Sequence, residues 1–190
     1  MRNLEELVAL YIRRDRPKLE ALLASYRNKP TLSAAIQDAA FAVTEKGGKH
    51  RHQWRISDDV LEKAATSLLK YAAEIQACDT FSVLLPTVEK RKGVKGFGRL
   101  AVYDTALRIG AFRRVYPDKV YLHSGTRKGW KALGFDGNRD TVPVDDVPEA
   151  LRVLAPHEVE DFLCIYKARL RGETVGAGCG WEASGRGCGG

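Results

Sequence analysis

Asp104 and His123 are the residues of this chain best placed to do chemistry. Asp104 interrupts the apolar run AVYDTAL, and His123 follows Val120, Tyr121 and Leu122 just ahead of Ser124-Gly125-Thr126. A carboxylate within an apolar helix is either turned to solvent or buried and hydrogen-bonded with a displaced pKa. In the second case it can stabilise positive charge that builds up on a reacting group. An imidazole held at the start of a helix can position water, because it titrates near neutrality. Both have plainer readings. Arg108 stands four residues after Asp104, the spacing of an ion pair along one helix face. His123 fits equally well as a core histidine satisfied by its surroundings. Asp118, beside Pro117, reads as an exposed turn residue.

A second constellation lies in KGGKHRHQWRIS, where two glycines break the helical pattern. Lys49, Arg51 and Arg55 suit the neutralisation of phosphates, and Trp54 can stack or wedge against a base. Gln53 can read a base edge or fill the gap left by an extruded nucleotide. The plainer reading is a solvated loop with Trp54 packed into the core. Tyr103, Tyr121 and Trp130 are core anchors by default, and walls of a base pocket if a base is handled here. Glu158, Glu160 and Asp161 suit stabilisation of a helix's first turn.

Between these groups runs EKRKGVKGFGRLAVYDTALRIG. Gly96 and Gly98 flank Phe97 between two helical segments, so they can supply positive φ in a tight turn while Phe97 plugs the core. A helix starting at Arg99 leaves its first amides unpaired, and Lys90, Arg91, Lys92, Lys95 and Arg99 surround that start. Amides and cations together make a phosphate site. A Gly-x-Gly between helices is also an ordinary cap and turn.

The elements that must hold these residues read as helices. Leu4, Leu7, Val8 and Tyr11 share one face of a helix ending before Pro17, and Leu19, Leu22, Leu23 and Tyr26 repeat the spacing. Thr31 caps an Ala-rich helix suited to close packing. Ser57 caps a long one, with Leu61, Ala64, Leu68 and Tyr71 inward, and Asp79 opens a short one that Pro86 bends or ends. A further short helix ends at Gly134, a polar loop follows, and Pro156 sits in the first turn of a strong amphipathic helix. No alternating strand pattern of useful length is present. The expected fold is all-α: one helical domain over residues 1–172 and a disordered Gly-rich tail over 173–190.

Composition fits that expectation. With 44% hydrophobic and 29% charged residues the chain can bury a core, and 31 Lys and Arg against 24 Asp and Glu favour a polyanionic partner. No stretch is long and apolar enough to span a membrane, and the acid-containing N-terminus is neither a signal nor a transit peptide. Cys78, Cys164, Cys179 and Cys188 lack CxxC spacing, which suits free thiols in a reducing cytoplasm. Metal binding by Cys179 and Cys188 is the lesser reading; no metal or other cofactor is expected.

The segment VKGFGRLAVYDTALRIG, with its hydrophobic-x-Gly-hydrophobic-Gly turn and Ala101 three residues on, resembles a helix-hairpin-helix element spanning about residues 87–113. The helices before it and the Pro117…VYLH order after it resemble the helix-hairpin-helix DNA glycosylase superfamily. The resemblance implies that Lys92, Lys95, Gly96, Phe97, Gly98 and Arg99 grip double-stranded DNA, assisted by Lys49, Arg51, Gln53 and Arg55. It also implies that a flipped base is excised by hydrolysis of its N-glycosidic bond. Leu100 stands where lyase-type members carry a Schiff-base lysine, so a monofunctional enzyme leaving an abasic site is implied. The family's catalytic aspartate, counted from Pro117, falls at Leu122 or His123, which leaves Asp104 and His123 as the catalytic candidates. The cysteine quartet of iron–sulfur members is absent. A compact monomer acting on hypermodified cytosine, such as the glucosylated hydroxymethyl form in phage DNA, is the narrower expectation, with repair the other pathway. The alternatives are a non-catalytic helix-hairpin-helix DNA-binding protein and an all-α interaction protein.

Overall fold

A computed structural model describes residues 4–173; the Gly-rich tail, with Cys179 and Cys188, lies outside the described residues. In chain order the elements are α1 (Leu4–Arg14), α2 (Arg16–Arg27), α3 (Leu32–Phe41), α4 (Asp58–Lys70), α5 (Ala72–Gln76), α6 (Phe81–Arg91), α7 (Arg99–Arg113), β1 (Lys119–Tyr121), α8 (Ser124–Ala132), β2 (Thr141–Pro143) and α9 (Pro156–Leu170). The chain is mostly helical, and among the described residues none of the helices is long and apolar enough to cross a membrane. It divides into two compact units, Lys18–Asp118 and the pair of segments Met1–Pro17 and Lys119–Gly190.

In the Lys18–Asp118 unit α7 is the central helix: every residue from Ala101 to Ala111 is buried. A helix covered on all sides must satisfy its polar side chains internally. α3 and α6 both pack on α7, and α4 packs on α3. Thr31 caps α3 as expected, its Oγ1 accepting from the Ala34 amide at 3.1 Å. Ala35, Ala39 and Ala40 are fully buried and let α3 approach closely. Ser57 occupies the cap position of α4 but makes no side-chain capping bond.

Two expectations for this unit change. The long helix after Ser57 breaks at Tyr71 (φ −108°, ψ 21°), which is exposed instead of inward. The Arg91 guanidinium lies 4.2 Å from the Tyr71 ring centre and makes two 2.6 Å bonds to Glu74, which ties the break to the end of α6. α6 also runs through Pro86 to Arg91. Pro86 is exposed, on the side where water can replace the hydrogen bond that a proline removes.

In the other unit α8 packs on α9, and β1 pairs antiparallel with β2 through Val120 and Val142. The expected polar loop after Gly134 therefore contains a strand, and the small two-stranded sheet is a minor addition to a mostly helical chain compatible with the expected all-α class. Three-residue strands are too short to show an alternating pattern. Leu7, Val8 and Tyr11 of α1 join Trp130, Phe162 and Tyr166 in the core. The Tyr11 hydroxyl donates to Asp161 at 3.1 Å, and burial with that carboxylate pushes the phenol far above its usual pKa, so it stays a donor. Glu158 accepts from the Ala155 amide at 2.9 Å, the expected first-turn stabilisation of α9. Glu160 is buried instead and accepts from Thr126 at 2.8 Å. Cys78 and Cys164 are free thiols.

Candidate functional site

The polar content of α7 meets the loop that follows α3. Ala42 ends α3 in the left-handed region (φ 58°), the Val43–Lys49 bridge closes a small hairpin, and the His50 amide donates to the Ala42 carbonyl at 2.7 Å. This folds the short 3-10 turn Arg51–Gln53 onto α7. Lys49 fastens the far side: its Nζ donates to the Ile56 carbonyl at 2.6 Å and pairs with Asp58 at 2.9 Å.

Asp104 receives that turn. His52 Nδ1 lies 3.0 Å from Asp104 Oδ2, and the Gln53 amide donates to the same oxygen at 2.7 Å. Arg108, the partner suggested by its spacing, is farther, with its guanidinium 3.9 Å from Oδ2. It reaches Gln53 Oε1 and the Ala39 carbonyl at 3.4 Å each. The His50 ring meets the His52 ring edge-on, with centres 4.7 Å apart. His50, Gln53 and Arg108 are all buried; the His52 side chain is 27% exposed, so the cluster opens to solvent through His52.

Burial alone would raise the Asp104 pKa, but His52, Arg108 and His50 together outweigh it and hold the carboxyl well below the usual carboxylate range. Asp104 is therefore an acceptor and not an acid. Facing an ionised carboxylate, His52 Nδ1 carries a proton, which makes Nε2 the basic nitrogen when the ring is neutral. An imidazole oriented in this way by a buried carboxylate can take a proton from water or a hydroxyl, and the carboxylate stabilises the resulting imidazolium.

His50, His52 and Asp104 also offer three ligand atoms within 4.8 Å of one another. Two histidines and one carboxylate are a common donor set for transition metals. Here the carboxylate oxygen already accepts from Gln53 and His52 and has the buried Arg108 cation beside it. A dication would add charge next to that guanidinium, so the donor set fits a hydrogen-bonded pair better than a metal centre.

The remaining candidates scatter. His123 is the N-cap residue of α8, in the other unit from Asp104. Tyr121 is half-buried on β1 in that unit, and Trp130 is 2% exposed in its core, stacked on Phe135. Tyr103 is fully buried against Phe81. Gln53 is an interior residue of the cluster, bonded to Asp104. Trp54 and Arg55 are exposed, so the core reading of Trp54 does not hold. Arg51 contributes its backbone to the 3-10 turn.

The turn between α6 and α7 lies in the same unit as the cluster. Gly96 adopts φ 96°, whereas Gly98 is extended (φ −75°) and occupies the N-cap position of α7 without a side-chain capping bond. Phe97 is 1% exposed and plugs the core, while Lys95 and Arg99 are exposed and Lys92 is half-buried. The turn and the cluster are thus held by one helix, six residues apart, about 9 Å along its axis. No protein family, curated protein or solved structure matches the chain.

Proposed function

We propose that the protein binds DNA and hydrolyses the N-glycosidic bond of a modified or damaged base, with His52 and Asp104 as its chemical centre. One observation carries this reading: the 3.0 Å contact between His52 and the ionised Asp104, buried on one side and open to solvent through His52. The turn before α7 is read as a helix-hairpin-helix clamp in which the first-turn amides, Lys95 and Arg99 hold a backbone phosphate. A phosphate there stands about 9 Å along α7 from Asp104, within reach of an adjoining nucleotide drawn out of its stack.

Hydrolysis breaks the bond between the sugar C1′ and the base nitrogen, and its electron pair leaves with the base. Positive charge builds on the sugar as this happens. His52 Nε2 takes a proton from water as the water oxygen bonds to C1′, the departing base nitrogen takes a proton from solvent, and the imidazolium returns its proton to solvent. Asp104 orients His52 and balances the imidazolium. His52 thereby takes the role for which the sequence suggested His123. With Leu100 where lyase-type members have lysine, water is the nucleophile and an abasic site the product. A binding module without chemistry would use the turn and leave the His52–Asp104 pair idle.

The test is incubation with duplexes carrying different damaged or modified bases, glucosylated hydroxymethylcytosine among them, followed by alkali to cleave abasic sites. Strand cleavage on at least one substrate is expected, with binding weakened when Lys95→Glu and Arg99→Glu are combined. Salt-sensitive binding without cleavage on any substrate would leave only the binding module.

A further inference from the structure

Trp54 is the most exposed large apolar side chain among the described residues, at 67%, whereas Trp130 is 2% exposed. Its backbone is pinned on both sides. Gln53, immediately before it, is fully buried on Asp104; the Gln53 amide donates to the His50 carbonyl at 3.0 Å and the Ile56 amide to the Gln53 carbonyl at 2.9 Å. Lys49 closes the other side through the Ile56 carbonyl and Asp58. The indole therefore stands on an ordered turn with little but its own side-chain torsions left to fix, and a partner that covers it recovers apolar area at small entropic cost.

The partner that gains most from a fixed, uncovered indole is a flat π-system with a free face. Charge narrows the choice: Lys46 to Arg55 carries four cations and no acid, and Arg55, the residue after Trp54, is exposed. An unpaired nucleotide joins a π-face to an anion, whereas a base inside a duplex has both faces covered by its neighbours. We propose that Trp54 is the stacking platform for an unpaired or extruded nucleobase, which makes single-stranded DNA, or duplex with an unpaired base, the preferred ligand. The assignment rests on DNA as the partner and not on hydrolysis.

The test measures binding of the full chain to dye-labelled oligo(dT) and to its duplex with oligo(dA), following both anisotropy and intrinsic tryptophan emission. Wild type is expected to bind oligo(dT) more tightly than the duplex, with its emission quenched. Trp54→Ala should lose roughly tenfold in affinity for oligo(dT) and most of the quenching, and Trp54→Phe should keep most of the affinity. The side chain is on the surface, so both variants should unfold at the wild-type urea midpoint. Oligo(dT) binding by Trp54→Ala as tight as wild type, or unquenched emission at saturation, would overturn the proposal. Trp54-dependent quenching without base excision on any substrate would sustain it while removing the hydrolase; excision with Trp54-independent binding would do the reverse.

Discussion

Asp104 is ionised where burial would neutralise an isolated carboxyl, and three cationic or hydrogen-bonding neighbours are the reason. The sign of the pH effect follows. Its folded pKa lies below the ordinary value, so the stabilisation is complete above about pH 4 and is lost as the pH falls through the lower folded value. Urea unfolding across the acid range should show stability decreasing below that point, and Asp104→Asn should flatten the decrease. The same variant leaves the buried Arg108 cation without its counter-charge and should cost about 3 kcal/mol at neutral pH. An Asp104→Asn protein as stable as wild type at pH 7, with the same acid limb, would mean the cluster is not coupled to folding. Arg108 was legible as a partner because four residues is a helical neighbour. His52 was not, because periodicity describes one element at a time and 52 residues separate the pair. Its one signal was indirect: a buried acid needs donors, and the loop from Lys49 to Arg55 is dense in them.

At the level of elements, the reading succeeded where apolar spacing and caps coincide. α1 ends before Pro17, Thr31 caps α3, α7 begins at Arg99 and Pro156 opens α9. It failed where tertiary contacts override local preference, as at Tyr71, whose exposed ring is covered by Arg91, and where β1 and β2 hold three residues each. The turn before α7 offers a finer test, because Gly96 and Gly98 have different backbone geometry. Gly96 has φ 96°, a conformation costly for residues with a Cβ, while Gly98 is extended with open space where a Cβ would sit. Gly96→Ala should therefore destabilise by about 1–2 kcal/mol, and Gly98→Ala should stay within about 0.5 kcal/mol of wild type. Thermal or urea unfolding of the pair decides it, and equal costs would mean that the turn does not depend on left-handed backbone at Gly96.

Across the whole molecule, the residues on which the proposed DNA binding and hydrolysis rest lie in the Lys18–Asp118 unit: the glycine turn with Lys95 and Arg99, the exposed Trp54 and Arg55, and the His52–Asp104 pair. His123, Tyr121 and Trp130 belong to the other unit. The formal charge of +7 suits a polyanion but assigns it to no surface. The central claim is that His52, oriented by Asp104, activates water. It is tested most directly by single-turnover excision with wild type and His52→Ala on one substrate oligonucleotide, with alkali revealing abasic sites and binding measured alongside. A rate loss of about a hundredfold or more with affinity unchanged is the predicted result, and excision by His52→Ala at the wild-type rate would contradict the account.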